Sequence, residues 1–238
     1  TAGLGAELRA EAMEVMEYLA GGGDPADYYV LSRTGRINRS SEELNEKVYR
    51  RSSEWLAKGK LVGLVGGAHS TPFGHIKAVA AKEGSISVLH IDAHADLRRA
   101  YEGFEYSHAS IMYNVAEAIP QVEKIVQVGI RDVSEGEMKY AGNNPKVEMF
   151  HDAQLSRDRF KGVSWDSQCD EIVSRLGQAV YISFDIDGLS PDNAPGTGTP
   201  VPGGLSFNEA AYLIWKITDS GRRIAGFDLC EVASQDSG

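Results

Sequence analysis

Residues 87–96 read Ser-Val-Leu-His-Ile-Asp-Ala-His-Ala-Asp, a short apolar run followed at once by carboxylates and a histidine. The apolar part predicts a buried strand. Because alternate residues of an extended chain point to the same side, Asp92, His94 and Asp96 converge if the extended form continues. Carboxylates this close repel one another unless a cation lies among them, and a divalent metal supplies that charge. A polar turn in which one carboxylate caps the next helix explains this stretch equally well on its own.

Length and composition indicate one soluble globular α/β domain, since 42% of the 238 residues are hydrophobic and 24% are charged. No apolar run is long enough to span a bilayer, and no basic segment followed by an apolar one opens the chain, so we expect no membrane partner. The only cysteines, Cys169 and Cys230, indicate buried core residues in a reducing, cytoplasmic location rather than a disulfide framework. The net charge of −10 disfavours nucleic acid and favours a small cationic partner.

Three further apolar runs, over 61–65, 179–186 and 224–230, end in or beside residues of the same kind. Strand and helix patterns alternate along the chain, which predicts a three-layer α/β/α fold with a mostly parallel sheet. Ligands bind such sheets at the carboxyl ends of the strands. Seven candidate ligands or bases lie at that edge: His69, Asp92, His94, Asp96, Asp185, Asp187 and Glu231.

The sequence pattern of the N-terminal part predicts two helices separated by a strand. The pattern favours a helix over 5–19, a strand over 27–33, a turn at 34–36 and a helix that begins at Ser40 or Ser41 and continues through Trp55. A serine can cap that helix, and Glu42 and Glu43 suit its positive end. Further helices are predicted over 71–81, 108–118, 165–176 and 205–218, with a short one after Ser134 and strands over 124–130 and 147–150.

Without Glu231, the predicted cluster contains four aspartates and two histidines and no cysteine. Such a ligand set suits Mn²⁺, or Fe²⁺, Co²⁺ or Ni²⁺, better than a structural zinc ion. Six side chains with bridging carboxylates suffice for two ions, which lie about 3.5–4 Å apart in two-metal hydrolases and lower the pKa of a shared water. The spacing therefore predicts a binuclear metal hydrolase and leaves its substrate open.

Four motifs in this order resemble those of the ureohydrolase family, which includes arginase and agmatinase. They are Gly66-Gly67-Ala68-His69-Ser70, Asp92-Ala93-His94-Ala95-Asp96, Ser183-Phe184-Asp185-Ile186-Asp187-Gly188-Leu189-Ser190-Pro191, and Pro195-Gly196-Thr197-Gly198-Thr199-Pro200 with Gly203-Gly204-Leu205. The resemblance extends from Leu61 to Val232 and implies an arginase/deacetylase-like fold. The zinc deacetylases of related fold are disfavoured, because they would need ligands for one metal rather than two.

The resemblance implies two Mn²⁺ ions per chain, bridged by Asp92 and Asp185. It assigns one ion to His69, Asp92, Asp96 and Asp185, and the other to Asp92, His94, Asp185 and Asp187. Hydroxide between the ions would attack the guanidinium carbon, and the tetrahedral intermediate would collapse to urea and an amine. Glu231 resembles the acidic residue that pairs with the guanidinium, and His108 resembles the proton-shuttling histidine near the site mouth. Read without the family, His108 is an ordinary histidine at a helix start.

The stretch from Asp96 to Ser110 resembles agmatinases more than arginases, so the expected reaction converts agmatine to putrescine and urea. Arg98 and Arg99 leave an alternative open, because an arginine could bind the carboxylate of guanidinobutyrate, formiminoglutamate or arginine itself. They could equally be solvated or structural. A third interpretation is a metal-binding homologue without catalysis. The family resemblance also implies a homo-oligomer, a trimer or hexamer.

The sequence departs from the family pattern at Ala68, where an acidic residue is usual, and we expect an effect on tuning or packing rather than loss of metal. It also lacks the family's glycine-rich entry motif near the N-terminus and its helix after the last strand. We expect residues 1–238 to form one ureohydrolase-type catalytic domain that is incomplete at its ends.

Overall fold

The computed structural model describes residues 2–233, where strands and helices alternate as expected. The strands are β1 (Gly63–Val65), β2 (Ile86–Ile91), β3 (Val122–Ile130), β4 (Val147–His151), β5 (Ala179–Asp185) and β6 (Arg223–Cys230). The helices are α1 (Ala2–Ala20), α2 (Tyr28–Leu56), α3 (Phe73–Glu83), α4 (Ile111–Ala118), α5 (Glu135–Asn143), α6 (Asp152–Phe160), α7 (Trp165–Ser174) and α8 (Phe207–Asp219). Short 3₁₀ helices cover His108–Ser110 and Ile186–Gly188. Among the helices so described, none has both the length and the apolar character needed to cross a membrane.

The strands form one parallel sheet in the order β1-β6-β5-β2-β3-β4. The prediction of a mostly parallel sheet is therefore confirmed. Because every strand runs in the same direction, all carboxyl ends meet at one edge. The strands that carry the predicted site residues, β6, β5 and β2, are neighbours at the centre, and β1 lies beside β6.

Helices cover both faces of the sheet, which confirms the three-layer fold. One core packs α3 and α4 against side chains such as Val88, Ile125 and Tyr181. The other packs α6, α7 and α8 against the residues that alternate with these, such as Leu89 and Val126. This alternation follows from the two-residue period of a strand. Both cysteines are buried and free, as expected of core residues.

The predicted strand over 27–33, the turn at 34–36 and the helix start at Ser40 or Ser41 are wrong, because one long helix, α2, covers all three. Asp27 caps this helix by accepting the N–H of Tyr29 at 3.0 Å. The aromatic and β-branched residues at its start favour a strand only locally. Tertiary packing decides otherwise: α2 lies so close to α3 that a Cβ at Gly74 would be 2.1 Å from the carbonyl oxygen of Asn45.

Helix α6 was not predicted, because it follows β4 without a loop. Its first turn contains Asp152 and its last turn contains Arg157 and Arg159, a charge arrangement that suits the helix dipole. The predicted serine cap of α5 is confirmed: Ser134 accepts the N–H of Glu137. The predicted opening of α8 at Ser206 is also confirmed, and Ser206 caps that helix in the same way. Such caps are short-range patterns that the sequence alone reveals.

His75, in α3, contacts both α2 and the residue just before β1. Its ring is buried, with Nδ1 3.0 Å from Ser52 Oγ and Nε2 3.2 Å from the carbonyl oxygen of Val62. Burial lowers the pKa of His75 from 6.5 to about 4. The unfolded chain therefore binds a proton more readily, so this contribution to stability is complete above pH 6.5 and is lost as the pH falls towards 4.

We expect the free energy of unfolding to fall between pH 7 and pH 4.5, with a contribution from His75 on the order of 3 kcal/mol. Denaturant unfolding at both pH values should show a smaller loss for His75→Gln, which cannot titrate. His151→Gln, at the partly exposed end of β4, should behave like the unchanged chain. An equal pH-dependent loss in the His75 variant would contradict the assignment.

Candidate metal centre

The predicted site residues come together at the carboxyl edge of the sheet. The loop after β1 contributes His69, the segment after β2 contributes Asp92, His94 and Asp96, and β5 with the 3₁₀ helix after it contributes two more aspartates. These segments follow neighbouring or nearly neighbouring strands, so the side chains meet above the centre of the sheet.

A first group of side chains surrounds His69, whose ring is fully buried. Its Nδ1 atom lies 3.0 Å from Asp92 Oδ2, 3.2 Å from Asp96 Oδ2 and 3.3 Å from Asp185 Oδ2. Three carboxylate oxygens and one imidazole nitrogen therefore face a single small volume. The family resemblance assigned these four residues to one ion, whereas the group whose ligand atoms all lie within 4.8 Å of one another consists of His69, His90, Asp92 and Asp96.

A second group surrounds His94, which is partly exposed. Its Nδ1 atom lies 3.1 Å from Asp187 Oδ2 and 3.4 Å from Asp92 Oδ1. Asp92 thus uses one carboxylate oxygen toward each histidine. One ligand atom each from Asp92, His94 and Asp187 lie within 4.8 Å of one another, a spacing that could hold an ion. The fourth member expected for this ion, Asp185, is not part of that grouping.

The charges of this cluster are not balanced by basic side chains. Asp92, Asp96, Asp185 and Asp187 are buried, and within residues 2–233 their carboxylates form ion pairs only with histidines. Burial, followed by the negative charge of Asp92, raises the pKa of Asp96 to about 7 and that of Asp185 to about 8. Both shifts mean that these carboxyls favour the neutral, protonated form here, whereas a bound cation would favour the charged form, and the oxygen and imidazole donors suit a divalent ion.

The extended form expected through Asp96 ends at Ile91, yet the three side chains still converge. Asp96 has a left-handed backbone, with φ of 54°, and its carbonyl oxygen accepts the N–H groups of Met112 and Tyr113 at the start of α4. Such a conformation is strained for a residue with a Cβ and is maintained by these contacts. The turn directs the Asp96 carboxylate back toward His69.

Hydrogen bonds from the backbone and from two side chains hold Asp187, which follows β5. The Asp187 carboxylate accepts the N–H of Ala93 at 3.1 Å and the hydroxyl of Thr199 at 3.1 Å. Arg131 donates hydrogen bonds to the carbonyl oxygens of Asp187 at 2.6 Å and Leu189 at 3.1 Å. It also donates to the carbonyl oxygen of Val201. No sequence motif predicts this role of Arg131, although a single arginine directly after a buried strand is a usable signal.

Glu231 and His108 line one cavity of about 210 Å³ together with members of the metal cluster. Glu231 has a left-handed backbone, with φ of 61°, and its Oε1 atom accepts the N–H of His69 at 2.8 Å. His108 is exposed at the mouth of the cavity, and its ring centroid is 5.9 Å from that of Tyr101. The predicted helix over 108–118 therefore begins with a 3₁₀ turn that places this histidine beside the site.

Arg98 lines an adjoining cavity of about 150 Å³ that also contains His94, Asp132 and Glu137. Its Nε atom is 3.6 Å from Glu137 Oε2, and its guanidinium carbon is 5.1 Å from the centroid of the Tyr101 ring. The charge of Arg98 is thus partly paired before any ligand arrives. Arg99 is exposed and is not among the residues that line either cavity.

Ala68, the departure from the family pattern, lies exposed in the loop before His69. Its carbonyl oxygen accepts the N–H and the hydroxyl of Thr71, which closes the turn into α3. The methyl side chain therefore occupies a surface position, while the backbone of Ala68 shapes the loop.

The chain is therefore an α/β protein whose parallel sheet brings carboxylates and imidazoles together at its strand ends, where they could hold metal ions. The chain belongs to the arginase family, which residues 8–237 match. The resemblance stated from the motifs is confirmed.

Individual relatives differ in the substrates that their names give. The chain is 34% identical over 194 residues to N(1)-aminopropylagmatine ureohydrolase from Thermus thermophilus, covering 81% of this chain and 62% of that protein. It is 30% identical to guanidinobutyrase from Pseudomonas aeruginosa, covering 95% and 71%. The crystal structure of agmatine ureohydrolase from Thermoplasma volcanium matches with a TM-score of 0.65 and 30% identity, covering 81% and 61%. The chain thus spans about 62% of the length of the first of these relatives.

We expect a divalent ion to stabilise the folded chain, since an ion at about 100 times its Kd adds about 2.7 kcal/mol. Thermal unfolding with and without Mn²⁺ measures this gain. Asp92→Asn should lose most of it, because Asp92 lies in both groups. The matched control is Asp132→Asn, whose carboxylate is 3.9 Å from His94 Nε2 but largely exposed, and which should keep the gain. Equal gains in both variants would exclude Asp92 as a ligand.

Proposed function

We propose that this chain contains the catalytic part of a binuclear Mn²⁺ hydrolase that cleaves a guanidino compound, with agmatine as substrate and putrescine and urea as products. The observation that carries the proposal is the pair of histidine groups that share Asp92, with Glu231 lining the same cavity. In this proposal residues 1–238 act as one domain, and the metal ligands are His69, Asp92, His94, Asp96, Asp185 and Asp187.

Two bound Mn²⁺ ions would act as Lewis acids that lower the pKa of a water, so that hydroxide is present at neutral pH. The chain's part is to hold the ligands without rearrangement. The ring of His69, whose Nε2 lies 2.9 Å from Ser183 Oγ, and the 3₁₀ helix held by Arg131 do so through hydrogen bonds on the side away from the proposed ligand atoms. Such preorganisation avoids paying an ordering cost during the reaction.

Glu231 is proposed to orient the guanidinium. The N–H of His69 fixes Oε1, and the described contacts leave Oε2 without a hydrogen bond, so this oxygen can accept from the substrate. A carboxylate and a guanidinium form strong, directional hydrogen bonds because both partners are charged and planar. Glu231 would therefore place the guanidinium carbon above the metal cluster with a defined orientation.

His108 is proposed to transfer a proton to the departing amine. An imidazole has an ordinary pKa near neutrality and can exchange protons with solvent when exposed. His108 lines both cavities, so it can contact substrate and water at once. The Tyr101 ring lies beside it, with the two ring centroids 5.9 Å apart.

The charges of the outer cavity support a cationic distal group. Asp96, Asp132 and Glu137 line it, and Arg98 is the basic side chain among the lining residues. Because Arg98 already faces Glu137, the amine of agmatine meets a surface with excess negative charge. Two of the relatives carry agmatine or an agmatine derivative in their names, which agrees with this choice.

A second candidate substrate is a guanidino acid such as guanidinobutyrate. The position of Arg98 in the outer cavity favours it, since an arginine can bind a carboxylate through two hydrogen bonds. Formiminoglutamate and arginine belong to the same alternative. The proposed homo-oligomer, a trimer or hexamer, and the proposed cytoplasmic location with a role in polyamine formation follow the family resemblance.

We expect Mn²⁺-loaded protein to release urea from agmatine. Glu231→Gln should lower kcat/KM by about 100-fold, because a charge-assisted hydrogen-bond pair contributes on the order of 3 kcal/mol. Asp219→Asn, at the end of α8 and remote from the carboxyl edge, serves as control and should keep full activity. Bound metal without urea release from any guanidino compound would favour the non-catalytic homologue instead.

Arg98→Ala separates the two substrate classes. If the distal group is an ammonium, kcat/KM for agmatine should change by less than about 3-fold, since the positively charged Arg98 does not attract a cation. If the substrate is a guanidino acid, the same variant should lose more than about 10-fold with guanidinobutyrate through KM. Arg99→Ala, an exposed neighbouring arginine, is the matched control for the loss of a positive charge.

A further inference from the structure

Four polar side chains form a row across the central strands of the sheet, just before the strand ends at which the metal centre lies. The strand register pairs His90 on β2 with Gln127 on β3 and with Ser183 on β5, and it pairs Ser183 with Asp228 on β6. All four side chains are buried. Since burying a polar group is costly unless it is hydrogen-bonded, the partners of these side chains indicate their purpose.

The hydrogen bonds of Gln127 fix which of its side-chain atoms is the nitrogen. Nε2 lies 2.6 Å from the carbonyl oxygen of Ala95, which can only accept a hydrogen bond. An amide turned the other way would place two acceptors against each other at this distance. The same nitrogen lies 2.8 Å from Nδ1 of His90 and donates its second N–H there. Nδ1 of His90 therefore carries no proton.

A neutral imidazole with an unprotonated Nδ1 carries its proton on Nε2. This atom lies 2.8 Å from Asp92 Oδ2, so His90 donates to the carboxylate that both histidine groups share. By spacing alone, His90 belongs to a possible ion site with His69, Asp92 and Asp96. The direction of the Gln127 hydrogen bond argues against ligation, because Nε2 has no lone pair to offer.

We infer that Gln127 and His90 are positioning residues for Asp92, and that neither is a metal ligand. The pair presents an N–H to Oδ2, while the N–H of His94 holds Oδ1 at 2.6 Å. The remaining lone pairs of Asp92 are thereby directed toward the two histidine groups. This inference rests on the proposed metal centre, and it concerns how the chain fixes the shared carboxylate. Groups that hold metal ligands in this way commonly change metal affinity by about 10–100-fold when removed.

The first test measures Mn²⁺ binding by electron paramagnetic resonance of the free ion. His90→Phe keeps a ring of similar size and removes the donor. Gln127→Glu keeps the shape but, as a carboxylate, cannot donate to Nδ1, so it no longer fixes the proton of a neutral imidazole on Nε2. Each variant should bind Mn²⁺ about 10–100-fold more weakly. The matched control is Gln168→Glu, because Gln168 is also buried and also donates to a carbonyl oxygen, that of Leu155 at 3.1 Å.

The double variant His90→Phe/Gln127→Glu distinguishes positioning from general damage. Gln127 acts only through His90, so the double variant should bind no more weakly than His90→Phe alone. Losses that multiply would overturn the inference, as would unchanged binding in both single variants. If the unchanged chain binds no Mn²⁺, the proposed metal centre fails instead. Thermal unfolding without metal checks that each variant folds.

The second test reads the proton position directly and does not depend on metal binding. A long-range ¹H–¹⁵N spectrum of the unchanged chain, recorded with and without diamagnetic Zn²⁺, distinguishes a protonated from an unprotonated ring nitrogen. The His90 signals are assigned as those missing from His90→Phe. We expect Nε2 protonated and Nδ1 unprotonated in both conditions. A proton on Nδ1, or a Zn²⁺-bound Nε2, would overturn the inference.

Discussion

Repulsion among buried carboxylates is the constraint on which the site depends. Four aspartates at the ends of two neighbouring strands face a small volume that contains histidines but, in the described chain, no lysine or arginine side chain in ion-pair contact. A buried charge without a partner is strongly unfavourable. The parallel sheet nevertheless brings these side chains together, because the strand order places β5 next to β2. The folded chain thus concentrates negative charge where a divalent ion would bind.

The supporting contacts explain how the chain tolerates this concentration. Asp92 receives hydrogen bonds at both oxygens, Asp187 is held by Ala93 and Thr199, and Glu231 is held by the backbone of His69. These donors come from three segments: the end of β2 with the residues directly after it, the loop after β1, and the loop that contains Thr199. The loops and the sheet core therefore stabilise the site together, and strain at Asp96 is compensated by the start of α4.

The sequence revealed the parallel sheet and the side chains that meet at its edge, because both depend on short patterns. Alternation in the apolar runs predicts strands, and Asp92, His94 and Asp96 lie within five residues of one another. The strand over 27–33 was wrong because packing of α2 on α3 overrides the local preference. The roles of His90 and Gln127 depend on register between strands that are far apart in sequence, and a single sequence does not specify that register.

In the proposed function, the side chains that would select the substrate lie farther from the metal cluster than those that would act on the guanidinium. The chain is 34% identical to an aminopropylagmatine ureohydrolase and 30% identical to a guanidinobutyrase. Overall identity therefore hardly distinguishes a substrate with a cationic distal group from one with an anionic distal group. In the proposed function, the inner cavity with Glu231 would bind the guanidinium that these compounds share. The outer cavity contains the opposed charges, Asp132 and Glu137 against Arg98. Glu137 is buried and already faces Arg98, and the exposed carboxylate of Asp132 lies 3.9 Å from His94 Nε2, so it is the excess of carboxylates over arginine in this cavity that supports the proposed cationic distal group.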